Sequence, residues 1–149
     1  MLEIERKYLL ESMEWKHEFI QSVTKIKQAY LFEDQGKSLR IRIRAEKAFL
    51  TIKMGQGITR NEFEYSIPVS DAEEMIEKAA LLCLEKDRYV IHCNGHEWEI
   101  DVFKGKYEGL VLAEIELADE NDEIEFPSWI GEEVTHNPAY LNVNLFKNL

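Results

Sequence analysis

The chain has 149 residues, 45% of them hydrophobic, which is enough for one domain with a real core and too short to suggest two. Its formal net charge of -11, from 29 acidic and 18 basic residues, argues against a nucleic-acid or anionic-membrane surface, since those partners select basic patches. No signal peptide is legible at Met1-Leu2-Glu3-Ile4 and no apolar run approaches a membrane span, so the cytoplasm is the expected compartment.

Residues Leu2 to Leu10 read as a strand in which Glu3, Glu5 and Lys7 share one face while Ile4, Arg6 and Tyr8 share the other. A short amphipathic helix is expected near Glu14 to Gln21, then a strand from Val23 to Phe32 and a turn at Asp34-Gln35-Gly36-Lys37. Ser38 to Arg44 is the cleanest alternation in the chain, with Arg40, Arg42 and Arg44 opposed to Leu39, Ile41 and Ile43. Phe49 to Lys53 continues with Thr51 and Lys53 in phase, and Gly55-Gln56-Gly57 is a loop.

Asn61 to Pro68 alternates Glu62, Glu64 and Ser66 with Phe63, Tyr65 and Ile67. Ser70 with Glu73 predicts a capping box opening a helix to about residue 83, with Ala72, Met75, Ile76 and Ala79 toward a core. Asn94-Gly95 is a hairpin signal joining a strand at Lys86 to Ile91 with one at His96 to Val102, where Glu97, Glu99 and Asp101 oppose Trp98, Ile100 and Val102. Leu110 to Leu117 repeats the pattern with Glu114 and Glu116, and Asn137-Pro138 opens a terminal helix through Leu145. Cys83 and Cys93 have no metal-like spacing and are expected as reduced, buried thiols; the four histidines at 17, 92, 96 and 136 are too scattered for a metal set.

Sorted by phase, one face collects Lys7, Arg40, Arg42, Arg44, Lys53, Lys86 and Arg88 with Glu3, Glu5, Glu62, Glu64, Glu97, Glu99, Asp101, Glu114 and Glu116. Alternation alone allows two architectures: an open sheet with a solvated charged face, the commoner solution, or a barrel whose charged face lines a wet lumen. An arginine triplet is unusual on a solvated face, and the apolar faces are large enough to need cover from the helices near 14–21, 70–83 and 138–146. If the charges converge, arginine forks and lysines suit phosphate oxygens, and carboxylates beside them call for a hard divalent cation, Mg2+ or Mn2+ rather than zinc.

The N-terminal Glu3-x-Glu5-x-Lys7 resembles the ExExK motif of the CYTH superfamily, the triphosphate tunnel metalloenzymes. The likeness runs on through Gln28-Ala29-Tyr30-Leu31, Leu39-Arg40-Ile41-Arg42, Leu50-Thr51-Ile52-Lys53, Glu62-Phe63-Glu64, Lys86-Asp87-Arg88-Tyr89, Asp101, Glu114-Ile115-Glu116-Leu117 and Pro127 to Thr135. Ala29 departs from a common glycine. The resemblance implies one domain over 1–149, of α+β class: an eight-stranded antiparallel barrel forming a tunnel with a charged lumen and helices packed outside. It also implies metal ligands Glu3, Glu5, Asp101, Glu114 and Glu116, and phosphate contacts from Lys7, Arg40, Arg42, Lys53, Lys86 and Arg88. Lys7, Lys53, Glu62 and Glu64 are the expected catalytic set, the two glutamates orienting those cations or adding to the metal site. Arg44 divides between phosphate binding and an ion pair at the rim.

The expected activity is Mg2+- or Mn2+-dependent hydrolysis of inorganic triphosphate. The alternatives are an adenylate cyclase or a nucleoside or thiamine triphosphatase using the same tunnel, and a non-catalytic polyphosphate-binding module. The expected partner is a small anionic triphosphate, with neither nucleic acid nor membrane; a homodimer is allowed. Trp129, Ile130, Tyr140, Leu141 and Phe146 are expected to pack over the apolar exterior.

Overall fold

The computed structural model describes all 149 residues. Nine strands form one antiparallel sheet: β1 (Leu2–Leu10), β2 (Ile20–Asp34), β3 (Lys37–Arg44), β4 (Lys47–Met54), β5 (Thr59–Ile67), β6 (Leu84–Cys93), β7 (His96–Phe103), β8 (Val111–Leu117) and β9 (Ile130–Glu133). Two α-helices accompany them, α1 (Val69–Lys78) and α2 (Asn142–Lys147). The order β5-β4-β3-β2-β6-β7-β8-β1 returns on itself because Leu2, Glu3 and Ile4 pair with Asn61, Arg60 and Thr59, so eight strands close into a barrel. The ninth extends the same edge of β1 at Tyr8 and Leu10. No helix is long and apolar enough to cross a membrane.

Alternation decides what goes inside. On every barrel strand but β2, which turns Ile26, Gln28 and Tyr30 inward and leaves Lys25 and Lys27 exposed, a charged phase faces the lumen, and the opposite phase builds an exterior core in two places. Over β1, β6, β7 and β8, Tyr8, Ile100 and Ile115 pack with Trp15, Trp98 and Trp129. The Trp98 ring meets Trp129 edge-on at 5.9 Å and Tyr8 at 5.7 Å, an arrangement aromatic quadrupoles favour. Over β3 and β4, α1 lays Ala72 against Ile41 and Ala48. The register row Phe32–Leu39–Ile52–Phe63 runs past α1, and Phe32, Met54 and Tyr65 stay exposed there.

At one end the lumen phase itself turns apolar. Leu84, Phe103 and Leu112 join Leu9, and Leu145 of α2 closes over them with Val134. The polar lumen therefore stops at a hydrophobic stopper made partly from the last residues of the chain.

Several local expectations are corrected. The helix near 14–21 is a single 3-10 turn, Glu14–His17, because residues from Ile20 onward are taken by pairing with β6. The Ser70–Glu73 capping box does not form: Pro68 holds the extended entry conformation, its carbonyl accepts from Asp71 and Ala72, and the helix starts at Val69 and ends at Lys78. The terminal helix is broken. Asn137 does cap, accepting from Ala139 N at 3.0 Å, but only a 3-10 turn Pro138–Tyr140; Leu141 is extended before α2 begins. The cysteines are free but half-buried rather than buried. The hairpin at Asn94-Gly95 forms, with φ of 53° and 78°, the two positive angles its tight turn requires. Trp129 packs as expected.

Candidate active site

Three neighbouring strands supply the basic wall. In β3 Arg40 and Arg42 point inward, and the rows Arg40–Thr51–Glu64 and Ser38–Lys53–Glu62 carry the pattern across β4 and β5. Arg40 donates to Thr51 Oγ1 at 3.3 Å and lies 3.9 Å from Glu64. Lys53 sits between Glu3 at 3.1 Å and Glu62 at 3.3 Å. Burial works to raise the Glu62 pKa, but a hydrogen bond with Glu3 and the Lys53 and Arg40 charges outweigh it and hold it below the usual value.

Arg42 differs. Its one side-chain hydrogen bond is from Nε to the neutral Gln28 Oε1 at 2.8 Å, and no carboxylate lies within ion-pair reach. Burial, with Arg40 and Arg88 nearby, pushes it down to about 9. A buried guanidinium in that condition is a standing demand for an anion.

On the opposite wall the charges are paired. Arg88 grips Asp101 with two bonds, Nε to Oδ1 at 2.7 Å and Nη2 to Oδ2 at 2.8 Å, and reaches Glu99 at 2.8 Å and Glu114 at 3.3 Å. Lys86 donates to Asp101 at 2.6 Å and to Asn142 at 3.2 Å. Burial disfavours all these charges. The cations nonetheless keep Asp101 low and Glu114 well below the usual carboxylate range, and Asp101 raises Arg88. For Lys86 burial wins, and its ammonium is pushed down to about 7. Lys7 donates to the Tyr140 carbonyl at 3.0 Å and lies 3.4 Å from Glu114, so the break before α2 leaves a carbonyl free for a lumen lysine.

The third group is anionic and poorly compensated. Burial, then Glu114, push Glu5 up to about 7; burial raises Glu116 as well, helped by Glu3, Glu5 and Glu99. Glu99 is raised by burial despite Arg88. Glu3 Oε2 and Glu114 Oε1 are buried without a hydrogen bond. Lys53 is 3.1 Å from that Glu3 oxygen but directs its donated proton to Oε1, so the charge is offset while the lone pairs stay unmet.

Most of the expected residues line a single cavity of about 300 Å³: Glu3, Glu5 and Lys7 from β1, Arg40, Arg42 and Lys53, Glu62 and Glu64, Arg88, and Glu114 and Glu116. Lys86 and Asp101 do not line it; they form a buried pair behind its wall, 1% and 0% exposed. Arg44 reaches the cavity, but neither as an ion pair nor as a free fork: its guanidinium stacks on Phe49 at 4.6 Å. Residues outside the expected set also line it, among them Arg60, Ser38, Tyr30, Leu141 and Asn142. Arg60 was detectable, being in phase with Glu62 and Glu64 one step before Asn61; the terminal segment gave no such signal, because its insertion is purely tertiary.

No three of the carboxylates stand close enough together to hold a cation as they are. The donor chemistry nevertheless fits a hard divalent ion at Glu3, Glu5 and Glu116, where neighbouring carboxylates help burial raise Glu5 and Glu116 and a buried Glu3 oxygen lacks a hydrogen-bond partner. Asp101 fits poorly, since Arg88 and Lys86 already occupy both its oxygens.

A family model described as CYTH domain matches residues 1–145. An inorganic triphosphatase of Acetivibrio thermocellus is 45% identical, covering 98% of this chain and 94% of that protein. One from Nitrosomonas europaea is 34% identical, covering 95% of each. A crystal structure described as an inorganic triphosphatase superposes with a TM-score of 0.66 at 32% identity, covering 97% of this chain and 93% of that one.

Proposed function

The chain belongs to the CYTH domain family, and on that premise we propose that it is an inorganic triphosphatase, cleaving a terminal phosphoanhydride of triphosphate held in the barrel lumen. The observation that carries the reading is Arg42: a buried cation with no anionic partner, beside Arg40 and Lys53, facing a set of carboxylates that resist ionising together. Cations alone would make a binding site. Carboxylates in the same cavity weaken anion binding unless a divalent ion lies between the two sets, and that is the mark of a metal-assisted phosphoryl site.

In this reading Arg40, Arg42 and Lys53 bind the phosphate oxygens, with Glu62 and Glu64 orienting Lys53 and Arg40. Lys7 and Arg88 reach the substrate from the far wall, Lys7 held by Tyr140 and Arg88 by Asp101. Glu3, Glu5 and Glu116, with Glu114 beside them, would hold Mg2+ or Mn2+. The metal, when bound, supplies charge neutralisation and a lowered pKa for coordinated water. Lys86, near 7 and hydrogen-bonded to Asp101 and Asn142, can hold or give up a proton around neutrality behind the wall. Asp101 acts on the cations rather than on the metal.

A nucleotide is disfavoured by the cavity itself. Its apolar lining amounts to Tyr30, Leu141 and Val143, of which Tyr30 already packs on Phe146 at 5.4 Å, so little is left on which a base could stack. Phosphate release from tripolyphosphate, ATP and thiamine triphosphate, each with Mg2+ and with Mn2+ and beside a cyclic AMP assay, tests the reading. Turnover of tripolyphosphate well above the others is expected; preference for ATP or formation of cyclic AMP would move the chain to nucleotide chemistry.

A further inference from the structure

The one barrel strand that brings no charge to the lumen, β2, places Gln28 beside Arg42. Gln28 is 0% exposed and does not line the catalytic cavity, yet its Oε1 accepts from Arg42 Nε at 2.8 Å. We propose that Gln28 is the positioning residue for Arg42: a neutral amide that fixes the guanidinium by its inner nitrogen and leaves the whole positive charge and the two terminal nitrogens to the substrate. The proposal rests on the triphosphatase reading above and deepens it at one residue.

Four other lumen cations are oriented by carboxylates. Lys7 stands 3.4 Å from Glu114, Lys53 3.1 Å from Glu3, Arg40 3.9 Å from Glu64 and Arg88 2.7 Å from Asp101. Each such partner holds the cation in place and offsets part of its charge. Arg42 is held without being offset. Its two terminal nitrogens have no protein partner and neither is shut away from solvent, so they open on the cavity that Arg42 lines. A guanidinium held at Nε presents that outer pair as a fork, the edge that matches two phosphate oxygens.

The register accounts for this arrangement. Gln28 pairs with Arg42 on β3 and with Leu84 on β6, so its amide has the guanidinium on one flank and the hydrophobic stopper on the other. Arg42 Nε can only donate, which turns the amide oxygen toward it, and Nε2 is left buried without an acceptor. An unmet buried donor costs stability that a leucine of similar volume beside Leu84 would not cost. What the glutamine gives in return is the orientation of Arg42.

Calorimetric titration with tripolyphosphate, without added divalent cation, tests this beside a melting curve of each ligand-free sample. The proteins are the parent, Gln28→Leu, Gln28→Glu, Arg42→Ala and the double variant Gln28→Leu with Arg42→Ala. Gln28→Leu should raise the Kd about tenfold; in the Arg42→Ala background the same change should move it less than about twofold, because no guanidinium is left to orient. Gln28→Glu should raise the Kd further and yet raise the thermal midpoint, since the carboxylate takes Arg42 as its own partner. A merely structural glutamine would not move affinity and stability in opposite directions. Gln28→Leu that binds like the parent, an equal loss in the Arg42→Ala background, or Gln28→Glu that melts early overturns the assignment. Phosphate release from tripolyphosphate by the parent with Mg2+ is measured in parallel. No release beside an Arg42-dependent effect of Gln28→Leu removes the hydrolase and leaves Gln28 as the positioning residue; release by the parent with Gln28→Leu binding unchanged does the reverse.

Discussion

At the scale of single residues, Arg42 and Glu5 are held in opposite kinds of discomfort. Arg42 keeps its charge without an anion, so Arg42→Ala should weaken triphosphate binding by about 1.5 to 3 kcal/mol while the thermal midpoint of the ligand-free protein holds or rises. Calorimetry and a melting curve on one sample check both halves; a variant that melts early but binds normally would make Arg42 structural. Glu5 is raised from 4.5 to about 7, which means the folded state retains a proton that the unfolded chain has already lost. Metal-free protein should therefore lose stability as pH rises from about 4.5 to 7, and lose no more from this group above that. Glu5→Gln should flatten that part of the profile, read as the urea midpoint against pH. The Arg40–Arg42 pair and the ExExK carboxylates were legible in the sequence because strand parity assigns faces. Parity says nothing of depth, so the retreat of Lys86 and Asp101 behind the wall was not legible, nor was the stacking of Arg44 on Phe49.

At the scale of elements, the legible parts are those whose cause is local. Asn94-Gly95 dictates its turn from two residues, and the long alternations in β3 and β7 dictate strands. The four-residue β9 is too short to show a period, and it exists because β1 offers it an edge. The tail is the clearest case of a tertiary decision. Its sequence reads as one helix, yet Lys7 takes the Tyr140 carbonyl and Lys86 takes the Asn142 side chain, and the helix breaks between them. Leu145, 6% exposed, then serves the stopper and not merely the exterior. Leu145→Ala should cost about 2 to 4 kcal/mol in urea unfolding. A loss below about 0.5 kcal/mol would mean that α2 is only loosely docked and that the lumen is open at that end.

At the scale of the whole molecule, an open sheet and a closed barrel share the same alternation, and the choice rests on three register pairs between β1 and β5, strands more than fifty residues apart. That closure divides the charge unevenly. Seven cations and eight carboxylates line the cavity, so of the formal -11 only about -1 belongs to the lumen and about -10 to everything else. The barrel thus presents an anionic coat to its own anionic substrate, and the welcoming charges are felt only at the mouth. Capture of free triphosphate should accordingly have an inverted salt response: stopped-flow association should quicken as ionic strength rises toward about 0.15 M, where the screening length falls to about 8 Å. Slowing with salt would show instead that the field of the inner cations leaks past the rim. Under the inverted response, triphosphate already chelated by Mg2+ arrives faster than the bare anion, and the concentration of that chelate, more than of either component, becomes the variable that sets throughput in dilute solution.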